Sequence, residues 1–172
     1  VGGFPKAFTN GYEGQVYPTI VGFEPEFRVE AEKIASYLKS LGADAVEAKP
    51  LAEIERGTEA NLILVGWFNS PLIRDFYERK SRLSLFAYPE NGKVTILDFH
   101  GNKVESLEEA ALIQAAKNPW NSKPTILLVI AGNHEKCVEQ AVTIVLESPS
   151  LLRHASSLAI ADDKVFIVPV EG

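Results

Sequence analysis

Two stretches decide the fold: Asn61-Leu62-Ile63-Leu64-Val65-Gly66, and Thr125-Ile126-Leu127-Leu128-Val129-Ile130-Ala131 leading into Gly132. Each is a near-continuous aliphatic run, rich in β-branched residues and closed by glycine. That pattern belongs to a central strand covered on both faces. Covering both faces requires other layers of structure, so the two runs predict an α/β domain with helices packed on a sheet.

The segments around these runs extend the pattern. Tyr17–Phe23 contains Ile20, Val21 and Gly22 and predicts a strand. Pro25 then suits an early helical position, and Gly42 stops the helix near Leu41. Phe27, Ala31, Ile34, Ala35, Leu38 and Leu41 share one face of that helix, as a helix lying on a sheet requires. A short strand is predicted over Ala43–Ala48. After Gly66, Ser70 is placed to cap a helix with Pro71 in its first turn, running to about Lys80. Leu83–Tyr88 and Lys93–Phe99 flank Asn91-Gly92, a strong hairpin signal. Ser106 predicts the cap of a helix over Leu107–Lys117, with Glu108 and Glu109 near its positive end and Asn118-Pro119-Trp120-Asn121 closing it. A helix is predicted over His134–Glu147, and a last hairpin, Ser157–Ala161 and Lys164–Val170, across Asp162-Asp163. Strand-Gly-helix units favour parallel pairing and hairpins impose antiparallel pairing, so the expected sheet is mixed. Residues 1–14 read as an extended arm pinned by Phe4, Phe8 and Tyr12, and the whole chain, 1–172, as one domain.

With 172 residues, 46% hydrophobic and 23% charged, the chain can bury a core without disulfides or metal. A net charge of −6, with scattered Lys and Arg, argues against nucleic-acid partners and anionic membrane surfaces. No apolar run approaches the length of a membrane span, and Cys137 is the single cysteine. The absence of methionine and a start at Val1 suggest a processed or excised product.

The glycine junctions at Gly22, Gly66 and Gly132 lie where α/β sheets bind ligands, but none has Gly-x-Gly-x-x-Gly or Gly-Lys-Ser/Thr spacing. They read as tight structural turns. His134-Glu135, with Asp98 and His100, contains acid–base residue types, yet Val138 stands where a His-Glu-x-x-His zinc helix needs its second histidine. Cys137 falls on an apolar helix face, the serines lack a Gly-x-Ser-x-Gly elbow, and Asp162-Asp163 reads as a solvated turn. Trp67, Phe68 and Trp120, in loops beside the buried strands, together with Asn133 and His134, form the candidate contact or ligand surface.

Five landmarks occur in order along the chain: Phe4-Pro5-Lys6-Ala7-Phe8, then Ile20-Val21-Gly22, Ala31-Glu32-Lys33-Ile34-Ala35, Asn61–Gly66 followed by Asn69-Ser70-Pro71-Leu72, and Leu128–Asn133 through Ala141. Together they resemble the α/β domain of archaeal surface-layer (S-layer) proteins of the methanococcal and thermococcal type. The pattern is also similar to non-catalytic amino-terminal domains of some glycoside hydrolases and to the periplasmic subunit of bacterial cellulose synthase. The S-layer resemblance implies a secreted structural protein at the cell surface, self-associating or contacting neighbouring domains, without catalytic residues or cofactors. The alternative is a carbohydrate- or small-molecule-binding module using Trp67 and Trp120. No Asn-x-Ser/Thr acceptor is present, so attached glycans are not expected.

Overall fold

The computed structural model describes residues 4–9, 16–79, 83, 85–153 and 156–168. A seven-stranded mixed sheet organises it. The strands are β1 (Thr19–Phe23), β2 (Val46–Pro50), β3 (Asn61–Trp67), β7 (Ala111–Lys117), β8 (Ile126–Gly132), β9 (Ser157–Ala161) and β10 (Lys164–Val168), in the spatial order β10-β9-β7-β8-β3-β1-β2. The two aliphatic runs become β3 and β8, adjacent, parallel and central. β1 pairs parallel with both β2 and β3, whereas β7 runs antiparallel to β8 on one side and β9 on the other. The mixed α/β architecture expected from the sequence is therefore present.

Alternation along the strands builds two cores. Val21, Ile63, Val65, Leu128, Ile130 and Ile113 face one side, where they meet helices α2 (Arg28–Ser40) and α4 (Glu135–Glu147). These helices occupy the connections β1–β2 and β8–β9, so both crossovers cover the same face. Leu62, Leu64, Leu127, Val129 and Leu112 face the other side, beneath α3 (Ile73–Glu78) and a small antiparallel sheet. That small sheet comprises β4 (Ala87–Glu90), β5 (Lys93–Leu97) and β6 (Lys103–Leu107).

Both predicted hairpin turns form, each with two consecutive residues in the left-handed region. Asn91 and Gly92 have φ of 53° and 77°, and Asp162 and Asp163 have φ of 48° and 64°. Short polar side chains and glycine tolerate that conformation, and its twist matches the flanking strands.

Several expectations are corrected. The segment predicted as a helix over Leu107–Lys117 is instead the end of β6 followed by β7, a strand paired along its length with β8 and over residues 111–114 with β9. Burial on both faces overrides the helix propensity of its Ala, Leu, Glu and Lys residues. Lys6–Thr9 (α1) is one helical turn, not extended arm, although Phe4 and Phe8 are buried as expected; Tyr12 lies outside the described residues. Ser70 does not cap a helix: Leu72 is the residue before α3, and Lys80 lies outside the described residues. Leu83 donates its amide to the Arg79 carbonyl at 3.2 Å instead of opening a strand. Leu41 ends α2 exposed, because its chain has already left the helical face. Val170 lies outside the described residues.

Candidate functional site

The order β2-β1-β3 means that the chain moves outward from β1 to β2 and then returns across it to β3. A crevice is expected at the carboxyl ends of the strands where that order reverses. Here it is filled. Glu24 donates its amide to the Val65 carbonyl at 3.1 Å, and its side chain lies over Gly66. Burial pushes the Glu24 carboxyl above the usual range, helped by the charge of Glu26 and opposed by a hydrogen bond with Ser70.

The open space lies one strand further along, between the ends of β3 and β8. A cleft of 970 Å³ is based on Trp67-Phe68-Asn69 and Gly132-Asn133. Arg74, Tyr77 and Glu78 of α3 form one wall, and the β4–β5 turn from Pro89 to Gly92 forms the other. Its base is fixed locally. The Trp67 amide donates to Ser70 Oγ at 2.9 Å, the Ser70 amide donates to the Trp67 carbonyl at 3.0 Å, and the Phe68 amide donates to the Gly132 carbonyl at 3.1 Å. The aromatic rings are equally constrained. Trp67 packs against Phe27 with centroids 4.9 Å apart, and Phe68 meets Tyr77 edge-on at 5.5 Å and 87°. Tyr77 is buried, and its hydroxyl donates to Gln114 Oε1 while Gln114 Nε2 donates to the Ala87 carbonyl at 2.7 Å.

Three of the five expected surface residues meet in this cleft: Trp67, Phe68 and Asn133. The side chain of Asn133 acts as a staple, its Nδ2 donating to the carbonyls of Glu108 at 2.7 Å and Gly92 at 3.2 Å. It thereby joins the β6–β7 loop and the β4–β5 turn to the end of β8.

The other two residues lie elsewhere. Trp120 belongs to the loop between β7 and β8, at the amino end of β8, where Asn118 Nδ2 donates to the Ala60 carbonyl at 3.2 Å. Its indole Nε1 donates to Asp75 Oδ2 at 2.5 Å, so the ring anchors α3. Trp67 and Trp120 therefore do not form a common platform. His134 is the N-cap residue of α4; its Nε2 lies 3.7 Å from Glu109 Oε2, and its Nδ1 is buried without a hydrogen-bond partner. Asp98 does not reach it: Asp98 Oδ1 accepts the amides of His100 at 2.8 Å and Asn102 at 2.9 Å, closing the β5–β6 turn. The hydrogen bond from Asn102, above all, holds the Asp98 carboxyl below its ordinary range against slight desolvation. Burial pushes the Cys137 thiol up, away from reactivity. Among the described residues, no three His, Cys, Asp or Glu side chains are grouped to hold a metal ion.

The glycines serve close packing more than turning. A Cβ on Gly132 would stand 2.7 Å from the Ala110 carbonyl oxygen, and one on Gly22 would stand 2.4 Å from Ile54 Cδ1. Both residues lie within strands, where the missing side chain lets neighbouring layers approach. The expected tight turns are thus, at these positions, close contacts between layers.

Sequence reading did not find Asn69, Arg74, Tyr77, Glu78 or the Pro89–Gly92 wall as site residues. The Asn91-Gly92 turn was visible locally, but nothing local shows that the small sheet brings it opposite α3. Chemically, the cleft offers constrained ring faces surrounded by carboxamides and charged side chains already in pairs. Arg74 Nε lies 3.1 Å from Glu78 Oε1, and Lys103 Nζ lies 2.7 Å from Glu90 Oε1. No protein-family model matches the chain, and no curated protein matches it in sequence.

Proposed function

We propose that this chain is a non-catalytic structural module of an S-layer-like cell-surface protein, extracellular and associating with further copies of itself. The observation that supports this reading is the contrast between the two edges of the main sheet. At one edge, β2 has Glu47 and Lys49 paired at 3.5 Å and ends in Pro50, features that discourage strand addition. At the other, β10 reads Lys164-Val165-Phe166-Ile167-Val168, with Val165 40% and Ile167 49% exposed.

An apolar edge strand, unpaired on its outer side among the described residues, is a template for pairing with another strand. A second copy fits by symmetry. In an antiparallel pairing centred on Phe166, Val165 of each copy faces Ile167 of the other, and Phe166 faces its equivalent. Apolar cross-strand pairs of this kind stabilise a shared sheet. No helix among the described residues is long and apolar enough to cross a membrane.

Sedimentation equilibrium over a range of concentrations tests the proposal. Wild-type protein should associate reversibly, and Ile167→Lys should shift it to monomer without lowering its denaturation midpoint. Wild-type protein that stays monomeric at the highest concentrations would overturn it.

A further inference from the structure

We propose that the cleft between α3 and the β4–β5 turn is a binding site for a neutral oligosaccharide. Its base presents Phe68, half-buried and packed perpendicular to the Tyr77 ring, beside half-buried Trp67. A constrained ring with an accessible surface suits the C–H face of a pyranose, and binding there loses little side-chain entropy.

The polar groups around that base suit hydroxyls. Asn69 and Asn91 carry exposed carboxamides without partners among the described residues, one at the base and one on the turn. Each offers both donor and acceptor, as a vicinal diol requires. Anionic ligands fit less well. A phosphate or acidic sugar would meet Glu78 and Glu90 with Arg74 already engaged by Glu78. The volume of 970 Å³ is near the upper end of the roughly 300–1,000 Å³ range of small-ligand sites, room for a short oligosaccharide.

The backbone feeding the cleft gives independent support. Leu72 has φ 68° and ψ −44°, and the Ile73 amide donates to the Pro71 carbonyl at 2.8 Å. This is a γ-turn of the strained, positive-φ kind on a buried leucine, between the Trp67–Ser70 base and the Arg74 wall. Such strain concentrates at ligand clamps and persists only where the surrounding structure sustains it.

The test is amide chemical-shift mapping of the full chain titrated with maltotriose, cellotriose, chitotriose and mannotriose, with trigalacturonate as the acidic counterpart. At least one neutral trisaccharide should give saturable shifts centred on Phe68, Asn69 and Asn91. Phe68→Ala should weaken binding about tenfold, the scale of one lost aromatic contact. Exposed Asn69→Ala, which leaves the core untouched, should weaken it about threefold, the scale of one hydrogen bond. Phe68→Tyr should retain binding, and so should monomeric Ile167→Lys, since β10 lies three strands from β8; the site and self-association thus fail or survive separately. No saturable shift with any neutral sugar, shifts centred on Trp120, a preference for trigalacturonate, or wild-type affinity in a folded Phe68→Ala variant would each overturn the proposal.

Discussion

Asn133 and Ala110 hold each other twice: the Asn133 amide donates to the Ala110 carbonyl at 3.1 Å, and the Ala110 amide donates to Asn133 Oδ1 at 2.9 Å. Ala110 is fully buried, so truncating Asn133 to alanine strands its N–H without an acceptor. Asn133→Ala should cost about 1–3 kcal/mol. In a chain of this size the melting temperature should fall by roughly 2–4 °C per kcal/mol. Hydrogen exchange offers a local check, because the Ala110 amide should lose protection ahead of the centre of β8; equal protection in variant and wild type would contradict the staple.

Gly132 and Gly66 should differ in their tolerance of a methyl group. At Gly132 the added carbon meets a backbone oxygen at 2.7 Å, which cannot move without disturbing β7. At Gly66 it meets only side-chain atoms, Glu24 Cγ and Ser70 Oγ at 3.0 Å and Leu51 Cδ1 at 3.1 Å. Gly132→Ala should therefore destabilise by about 1–3 kcal/mol, the range for overpacking, and Gly66→Ala by less. Urea denaturation of the two variants decides the order, and the reverse order would refute the close-contact explanation.

Tyr77 should couple stability to alkaline pH. Burial holds its phenol well above the ordinary 10.0, so the unfolded chain ionises first as pH rises. Its contribution is complete below pH 10 and is lost progressively above it. Tyr77→Phe removes the donor to Gln114 Oε1 and should cost about 1–3 kcal/mol at neutral pH. Because the variant lacks the ionisable group, the stability difference should shrink above pH 10. Chemical denaturation at several alkaline pH values measures this convergence, and a constant difference would count against it.

Trp120 and Asp75 supply the opposite case. Burial acts to raise the Asp75 pKa, but hydrogen bonds from Trp120 and Arg79, with the charges of Arg79 and Arg56, outweigh it and hold the carboxyl below 3.8. Its stabilising contribution is present above that value and is lost as pH falls through the lowered pKa. Trp120→Phe keeps a ring and removes the donor, which should cost about 1.5–3 kcal/mol at pH 7, the range for hydrogen bonds to charged groups. The cost should diminish in acid, where Asp75 is protonated. Urea titrations at neutral and acid pH provide the comparison; a pH-independent cost would locate the role of Trp120 in packing alone.

The parts of this fold legible in the sequence are those with local causes. Aliphatic runs declare β3 and β8, and Asn91-Gly92 and Asp162-Asp163 declare turns, because those side chains tolerate positive φ. The segment 107–117 misleads because Ala, Leu, Glu, Gln and Lys favour helix, and Ser106 imitates a cap. Its strand character comes from pairing with β8 and with β9, the latter distant in sequence, whose hydrogen bonds and two-sided burial prevail. The cleft divides in the same way. Trp67 and Phe68 announce themselves as aromatics at a strand end, whereas the position of Asn91 opposite Arg74 depends on a separate sheet docking, which no local spacing encodes. Trp120 has the same sequence character as Trp67, and its hydrogen bond to Asp75 is what places it in the packing of α3.

The place of β7 between β8 and β9 has a consequence for the order of assembly. β7 and β8 are neighbours in the chain and can pair as a hairpin, whereas the second edge of β7 is covered by β9, which lies beyond α4 in the chain. In any state in which β9 is not docked, residues 111–114 have unpaired backbone on that side, and Ala111, Leu112 and Ile113 lose apolar cover. The β9–β10 hairpin therefore works as a latch: whatever delays it lengthens the time in which this inner strand can capture a stranger.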